Sequence, residues 1–407
     1  MQHCDPAAIK QLAREKALQL GAADVRVASA RDGADVRAAL RESFARGDLA
    51  TWPYDDEYAR KASDPSHVLA GARSVICVAV PYGGDVPDTR PMEGRVSNYA
   101  WSADYHDRVK MLLREVAAQI DVAAGAPVTA IACDTKPIAE RAFAARAGLG
   151  WIGKHTNLIS PHFGSFVFLG EIVTSLELPP DPPLRKTCGS CTRCIPACPT
   201  GALRGDYTID ATRCIADLTQ RTDAIPRDMR PLIGTWVWGC DLCQLACPPN
   251  QRVMASQRVM VSRSCHPEES KDPEQGPVGA RDEGMHKVQP SKETSTPELV
   301  RLLRLRSSEF KRQYQHTAMG WRGGAVLRRN AAVALGNALD RASVPALVQS
   351  LDEDPHPLVR AHTAWALGRI ASPPAIGALK SRLGVETDSS VREEIESALE
   401  PFATVAR

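Results

Sequence analysis

Apolar positions along this chain keep two rhythms before residue 180 and a third one after residue 297. Residues 7–20 set Ile9, Leu12, Ala13, Ala17 and Leu20 at helical spacing and end at Gly21, which predicts an amphipathic helix. Residues 74–80 (SVICVAV) form a short unbroken apolar run rich in β-branched side chains and ended by Pro81, the pattern of a buried strand. Cys77 inside that run reads as core packing. A helix is predicted from about 104 to 120, a second buried strand over 128–133 (VTAIAC), and a helix with proline in its first turn over 137–147. A third strand is predicted over 163–173 (FGSFVFLGEIV). Helices alternating with apolar strands predict an α/β or α+β domain over residues 1–180, and Pro179, Pro180, Pro182 and Pro183 then stiffen the way out of it.

The third rhythm is a repeat. Arg328, Arg360 and Arg392 stand 32 residues apart, as do Leu335, Leu367 and Leu399, and the preceding helices match as well. Two helices per unit at a fixed period predict a short HEAT-like solenoid over residues 297–407, an architecture that offers a binding face. Between these regions, residues 251–296 change character, and residues 262–284 are polar with no hydrophobic period. The stretch at about 255–290 reads as an extended or disordered insertion, and Cys265 within it is given no role.

Composition changes the picture in two ways. A hydrophobic content of 43% and a charged content of 24% belong to a soluble globular protein. Residues 1–21 carry no apolar leader and no run spans a bilayer, which predicts a cytoplasmic protein without a membrane partner. The formal net charge is only +2, so a nucleic-acid site has to come from local clustering. Such a cluster exists: Arg301, Arg304, Arg306, Lys311, Arg312, Arg322, Arg328 and Arg329 face one acid, Glu309. Tyr314 and Trp321 lie among them and could stack on an unpaired base. Arg304, Lys311, Arg312, Arg322 and Arg329 are the candidate contacts, whereas Arg328 recurs at the repeat offset and can equally be structural.

The chemistry concentrates in residues 181–250. Cys188, Cys191, Cys194 and Cys198-Pro199 form a C-x2-C-x2-C-x3-C-P run, and Cys240, Cys243 and Cys247-Pro248 form a C-x2-C-x3-C-P run. In two-cluster ferredoxins the last cysteine of each run ligates the other cluster. That logic gives one 4Fe-4S cluster to Cys188, Cys191, Cys194 and Cys247, and a second to Cys198, Cys240 and Cys243, with Cys214 as its fourth ligand. Structural zinc prefers two separated pairs, and disulfides prefer small oxidised domains, so both alternatives fit less well.

Two features of the first domain need context. Residues 148–154 (GLGWIGK) satisfy G-x-G-x-x-G, but a helix precedes them and a strand follows, the reverse of a dinucleotide or phosphate loop. The glycines are expected to end the helix and let the backbone run close to a flat cofactor. Asp134 follows a buried strand and precedes a helix, where it is either a capping carboxylate or a proton donor at a crevice.

Asp134-Thr-Lys-Pro-Ile-Ala-Glu140-Arg141, the stretch from Ala145 to Lys154, Tyr99-Ala-Trp-Ser-Ala-Asp104-Tyr105-His106, the cysteine spacing, and Leu327-Arg-Arg-Asn330 to Gly336-Asn337 together resemble the epoxyqueuosine reductases. The resemblance covers nearly the whole chain outside the insertion, and departures such as Ser102, Asn157 and Pro249 remove neither a cysteine nor the aspartate. It implies an oxidoreductase that uses cobalamin and two 4Fe-4S clusters to remove the epoxide oxygen from a modified base in the anticodon loop of tRNA. Asp134 would be its proton donor. Ser97, Tyr99, Asp104, Tyr105, His106, Lys154, Thr156, Gly239 and Asp241 would contact the cofactor, and the basic repeat face would grip the tRNA. The expected architecture is a multidomain α+β chain: an α/β cobalamin domain (1–180), a ferredoxin-like module (181–250), a linker (251–296) and helical repeats (297–407). The chain would act as a monomer fed by an external electron donor. A corrinoid enzyme of the reductive dehalogenase type and a simple electron-transfer protein are the alternatives from other classes.

Overall fold

The computed structural model describes residues 5–31, 33–83, 89–264 and 292–405. The first region contains, in order, helix α1 (Pro6–Gln19), strand β1 (Asp24–Ser29), helices α2 (Ala34–Ala45) and α3 (Asp56–Ser63), and strands β2 (Ser74–Pro81) and β3 (Arg95–Val96). Helix α4 (Tyr105–Ala124), strand β4 (Thr129–Ala132), helix α5 (Glu140–Arg146) and strands β5 (Trp151–Ile152), β6 (Leu158–Ile159) and β7 (Val167–Thr174) complete it.

Four strands form a sheet in the order β1-β2-β7-β4. Alternate residues of β2 point to opposite layers: Ile76, Val78 and Val80 pack with α1 and α4, while Val75, Cys77 and Ala79 pack with α5. Burial on both faces is why β2 reads as an unbroken apolar run. All pairings in this sheet are antiparallel, so the domain is α+β, and the expected α/β character does not hold. Alternation of helices and strands in sequence says nothing about strand direction, and that is where the expectation failed. Strand β1, DVRVAS, is short and half polar and carried no clear strand signal. The predicted helix over 137–147 begins only at Glu140, because residues 134–139 form a turn. The predicted strand over 163–173 begins at Val167, because Ser160 and Gly164 (φ 63°) close a tight turn before it.

The glycines of residues 148–153 end the helix as expected and also let the chain pack closely on itself. Gly148 (φ 79°) ends the α5 turn, and a Cβ there would stand 2.3 Å from the Pro182 carbonyl oxygen; at Gly150 it would stand 2.4 Å from that of Ile159. The close approach they permit is to the chain's own linker and hairpin.

The middle region adds helices α6 (Ile215–Gln220) and α7 (Arg230–Ile233), strand β8 (Trp236–Trp238), and helices α8 (Leu242–Leu245) and α9 (Pro248–Ser264). Strand β8 pairs in parallel with β3 and so ties this region to the first. Helix α9 enters the stretch expected to be an extended insertion. The rest of that stretch, Cys265 included, lies outside the described residues.

Helices α10 (Lys292–Ser295), α11 (Leu299–Leu303), α12 (Ser307–Gln313), α13 (Gly324–Ala338), α14 (Val344–Glu353), α15 (Pro357–Ile370), α16 (Pro373–Leu383) and α17 (Ser389–Leu399) form the C-terminal stack. The repeated arginines hold its loops. Arg328 pairs with Asp354 at 2.7 Å and Arg360 with Glu386 at 2.9 Å, the same step along the chain in both units. One hydrophobic core runs from Val96 and Trp101 through Leu218, Ile225 and Trp238 into Leu299, Leu335, Leu367 and Ile395.

Candidate functional site

Asp134 follows strand β4 in the left-handed region, with φ 54°. A non-glycine residue held there costs roughly 1–3 kcal/mol, so something must hold it. Its backbone N–H donates to the Glu140 carboxyl at the start of α5. Its Oδ2 accepts from the Tyr105 hydroxyl at 3.0 Å and faces His106 Nε2 at 3.2 Å. Tyr105 and His106 form the first turn of α4, which Asp104 caps by accepting from the His106 N–H at 3.0 Å. The same Asp104 oxygen meets His106 Nδ1 at 2.7 Å.

Both ring nitrogens of His106 therefore face carboxylate oxygens. Ionised carboxylates only accept, so each nitrogen has to carry a proton. The hydrogen bonds to Asp104 and Asp134, in that order, push His106 up to about 9. The bond to His106 in turn holds Asp134 below the usual carboxylate range. At neutral pH the proton of this trio resides on the imidazole.

A second wall adjoins the first through Tyr99, whose ring meets Tyr105 edge-on at 6.3 Å. Trp238 Nε1 donates to the Tyr99 hydroxyl at 2.9 Å. Buried Asp241 accepts from Ser97 Oγ at 2.6 Å, the Asn98 N–H at 2.7 Å and Gln244 Nε2 at 2.9 Å. Gly239 (φ 64°) lies against this corner, where a Cβ would come within 2.6 Å of Ser97 Cβ. Ser97, Tyr99, Gly239 and Asp241 thus share one corner, and Asp104, Tyr105 and His106 share the next. Lys154 belongs elsewhere: its N–H points to Cys188 Sγ at 3.4 Å and its Nζ donates to the Gly189 carbonyl at 2.9 Å. Thr156, also left-handed (φ 68°), accepts from Arg141 Nη1 at 2.8 Å through its carbonyl.

The cysteines fall into two neighbourhoods, visible in which thiols feel one another's charge. Burial pushes Cys247 up to about 11, with Cys188, Cys194 and Cys191 adding to the shift. Burial likewise pushes up Cys214 and Cys240; Cys198 adds to the first, and Cys243 and Cys214 add to the second. Cys243 feels Cys214, Cys198 and also Cys194, so the two groups adjoin. Among the described residues no three His, Cys, Asp or Glu side chains are drawn together as a cage for a single metal ion.

The basic residues divide. Arg304, Lys311 and Arg312 are exposed. Arg322 lies over the rings of Trp321 at 3.6 Å and Trp52 at 5.3 Å. Arg329, expected on the nucleic-acid face, is fully buried; its guanidinium donates to the carbonyls of Leu218, Thr219, Arg221 and Asp223. Asn330 and Asn337 likewise donate to carbonyls of the middle region. This motif bolts the repeats to the cysteine region. Tyr314 is only 3% exposed and cannot stack on a base.

What the sequence reading missed is an aromatic stack. Trp321 stacks on Trp52 at 5.8 Å, Trp52 on Tyr54 at 6.0 Å, and Tyr54 on Tyr58 at 4.0 Å. Burial, Tyr54 and then the nearby Asp134 and Glu140 push Tyr58 up to about 12, so the stack ends beside the Asp134 turn. The signal was present: Trp52, Tyr54 and Tyr58 crowd together in a chain with only 5% aromatic residues.

Comparison with known proteins gives three family matches. "Epoxyqueuosine reductase QueG, DUF1730" covers residues 63–135, "4Fe-4S double cluster binding domain" covers 187–250, and "HEAT repeats" covers 325–400. The epoxyqueuosine reductase of Bacillus anthracis is 33% identical over 360 residues, 86% of each chain. A crystal structure of epoxyqueuosine reductase with an epoxyqueuosine-modified tRNA-Tyr stem loop matches at 29% identity and TM-score 0.84, over 97% of this chain and 99% of that one. The Bacillus subtilis enzyme, in a structure with an aspartate-bearing catalytic loop swung out of the active site, matches at 29% identity and TM-score 0.82 over the same shares.

Proposed function

This chain belongs to the epoxyqueuosine reductase family, and we propose that it reduces epoxyqueuosine to queuosine in a tRNA anticodon loop with cobalamin and two 4Fe-4S clusters. The observation that carries the reading is the Asp134 turn: a strained acid fixed against a protonated histidine, one wall away from the cysteine module. The proposed units are a cobalamin-binding region (1–180), a two-cluster module (181–250) and a repeat region (297–407).

The residues fit these groups. Cys188, Cys191, Cys194 and Cys247 would hold one cluster, and Cys198, Cys214, Cys240 and Cys243 the other; the charges these thiols feel from one another support that division. For the corrin, the test is the buried polar atoms left without partners. Both side-chain atoms of Asn98, beside Asp241, and Trp151 Nε1 and His155 Nε2, beside Lys154, have none among the described residues. A large ring fringed with amides offers donors and acceptors to such atoms. Ser97, Tyr99, Gly239 and Asp241 would line one side and Tyr105 and His106 the other.

Bound cobalamin would supply a low-valent cobalt centre able to act as nucleophile or radical partner toward an epoxide, with electrons arriving singly from the clusters. Deoxygenation of the epoxide to an alkene consumes two electrons and two protons and releases water. The protein's part is to bring those protons. Asp134 is ionised at rest, so as a proton donor it must first take the proton from His106 across their 3.2 Å contact. His106 is thus the proton holder, Asp104 keeps it charged, and Tyr105 fixes the receiving oxygen. Trp321, Arg322 and Trp52, with Arg304, Lys311 and Arg312, would receive unpaired bases and phosphates of the anticodon loop.

The test is anaerobic turnover of an epoxyqueuosine-bearing anticodon stem loop by the full-length chain loaded with iron, sulfide and cobalamin and supplied with an excess of a low-potential chemical reductant such as dithionite. Queuosine should form only when all three are present. A loaded enzyme that retains cobalamin and yields no queuosine would overturn the reading.

A further inference from the structure

Glu171 lies on β7, in the middle of the sheet, between Cys77 of β2 and Ala132 of β4. It shares a face with Val173, on the side packed by Phe143 and Ala144 of α5, and it is 0% exposed. Neither carboxyl oxygen receives an N–H or O–H donor among the described residues. The polar group placed against it is the carboxyl of Glu140. Glu140 is the residue that accepts the Asp134 backbone N–H. Two carboxylates in contact repel, and the contact becomes a hydrogen bond only when one of them carries a proton.

We propose that Glu171 and Glu140 act as one positioning unit for Asp134: Glu171 carries a proton that it donates to Glu140, and Glu140, fixed in this way, holds the Asp134 amide and with it the left-handed turn. This rests on Asp134 being the acid of the proposed reaction. The Asp134 side chain is secured from α4 by Tyr105 and His106, and its backbone is secured from the sheet side by the carboxyl pair. The groups facing the pair from adjoining elements are Cys77 of β2, Cys133 and Asp134 after β4, Tyr58 of α3 and Arg141 of α5. Arg141 alone among these is a cation, and its guanidinium is directed to the Thr156 carbonyl. Burial without a donating cation pushes both carboxyls above the usual carboxylate range, Glu171 furthest. Once pH rises far enough for Glu171 to lose its proton, the two charges separate and the turn is released.

The experiment compares kcat and KM against pH for the loaded wild type, E171Q and E140A on the epoxyqueuosine stem loop. The side-chain amide introduced by E171Q donates an N–H to Glu140 at any pH. E171Q should therefore keep wild-type kcat at neutral pH within about twofold and lack the part of the alkaline decline that comes from the carboxyl pair, leaving the loss due to His106. E140A should lose about 10- to 100-fold in kcat with KM unchanged, the scale expected when a catalytic group is misplaced. An E171Q profile that superimposes on wild type, or an E140A variant with undiminished kcat, would overturn the proposal. Should wild type itself fail to turn over, the substrate reading is at fault, and infrared difference spectra of the full chain decide the pair separately. A protonated carboxylic C=O band at neutral pH that is absent from E171Q supports it, and no such band overturns it.

Discussion

The helical repeats and the sheet beneath the Asp134 turn both bury charge, and they treat it in opposite ways. In the repeats Arg328 meets Asp354, Arg360 and Arg382 close on Glu386, and Arg329 meets four backbone carbonyls. In the sheet, Glu171 meets another carboxyl. A buried charge supplied with all its partners holds shape and has no reason to release a proton, whereas one left short of donors stores a proton and is sensitive to its loss. The contrast separates structural burial from functional burial within one chain.

Substituting Asp134 by Asn tests the functional side most strongly. It keeps the size of the side chain but ends proton transfer from His106, and it should lower turnover by about 10²–10⁴-fold, the usual contribution of a positioned acid. Its urea midpoint should stay close to wild type. A variant that unfolded early and still turned over would move Asp134 to the structural side.

The structural side is tested by Arg329→Ala, which takes a donor from the carbonyls of Leu218, Thr219, Arg221 and Asp223, of which Thr219 keeps the one from Asn330. A loss on the order of 3–5 kcal/mol in chemical denaturation is expected, with kcat of the folded fraction preserved. Full stability combined with lost tRNA binding would return Arg329 to the nucleic-acid face.

Titration should sharpen the contrast, since the two regions fail at opposite ends of the pH scale. Burial pushes Glu386 up, but the hydrogen bonds from Arg360, the Asp388 amide and Arg382 outweigh it and hold it at about 2. A depressed carboxyl adds stability above its unfolded value, near 4.3, that is lost as pH falls toward 2. His106, raised to about 9, adds stability that is complete below its unfolded value near 6.5 and disappears as pH rises through 9. Acid should thus loosen the repeats first, followed by far-ultraviolet circular dichroism, whereas alkali should stop turnover with the repeats intact. Loss of both on the same side would dissolve the distinction.

The smallest effect concerns charge that is not buried at all. Replacing exposed Arg304 and Lys311 by alanine should flatten the slope of log K against log salt for tRNA binding by about 0.7–0.9 per lost phosphate contact. Clusters, cobalamin content and stability should be untouched. An unchanged slope would place the phosphate contacts elsewhere.

Sequence made the cysteine runs and the repeats legible because both are periodic: ligand spacing and helix-pair length survive without knowledge of the fold. The sheet domain was half legible. Buried β2 announced itself, but β1 did not, and no periodicity reported that the strands run antiparallel. Glu171 was given no role, because one carboxylate in FGSFVFLGEIV shows nothing of its surroundings until both faces of the sheet prove to be covered. Arg329 was misplaced for the converse reason: a sequence displays charge but not the carbonyls waiting to receive it. The stack of Trp52 on Trp321 joins residues from opposite ends of the chain, which no local pattern could bring together.

The core shared by the cysteine region and the repeats also has a direction in time. The ribosome delivers Cys247, the last of the eight motif cysteines, before Leu299 and the helices that later wall Leu218, Trp238 and the partly buried Cys240. During synthesis the nascent cysteine runs are open to iron donors on a flank that the finished protein closes. If iron enters by that flank, refilling a stripped, mature chain requires its C-terminal stack to breathe, and iron uptake should be faster in Arg329→Ala than in wild type. Equal rates would mean that the thiols are reached from the opposite flank, and that maturation need not keep pace with translation.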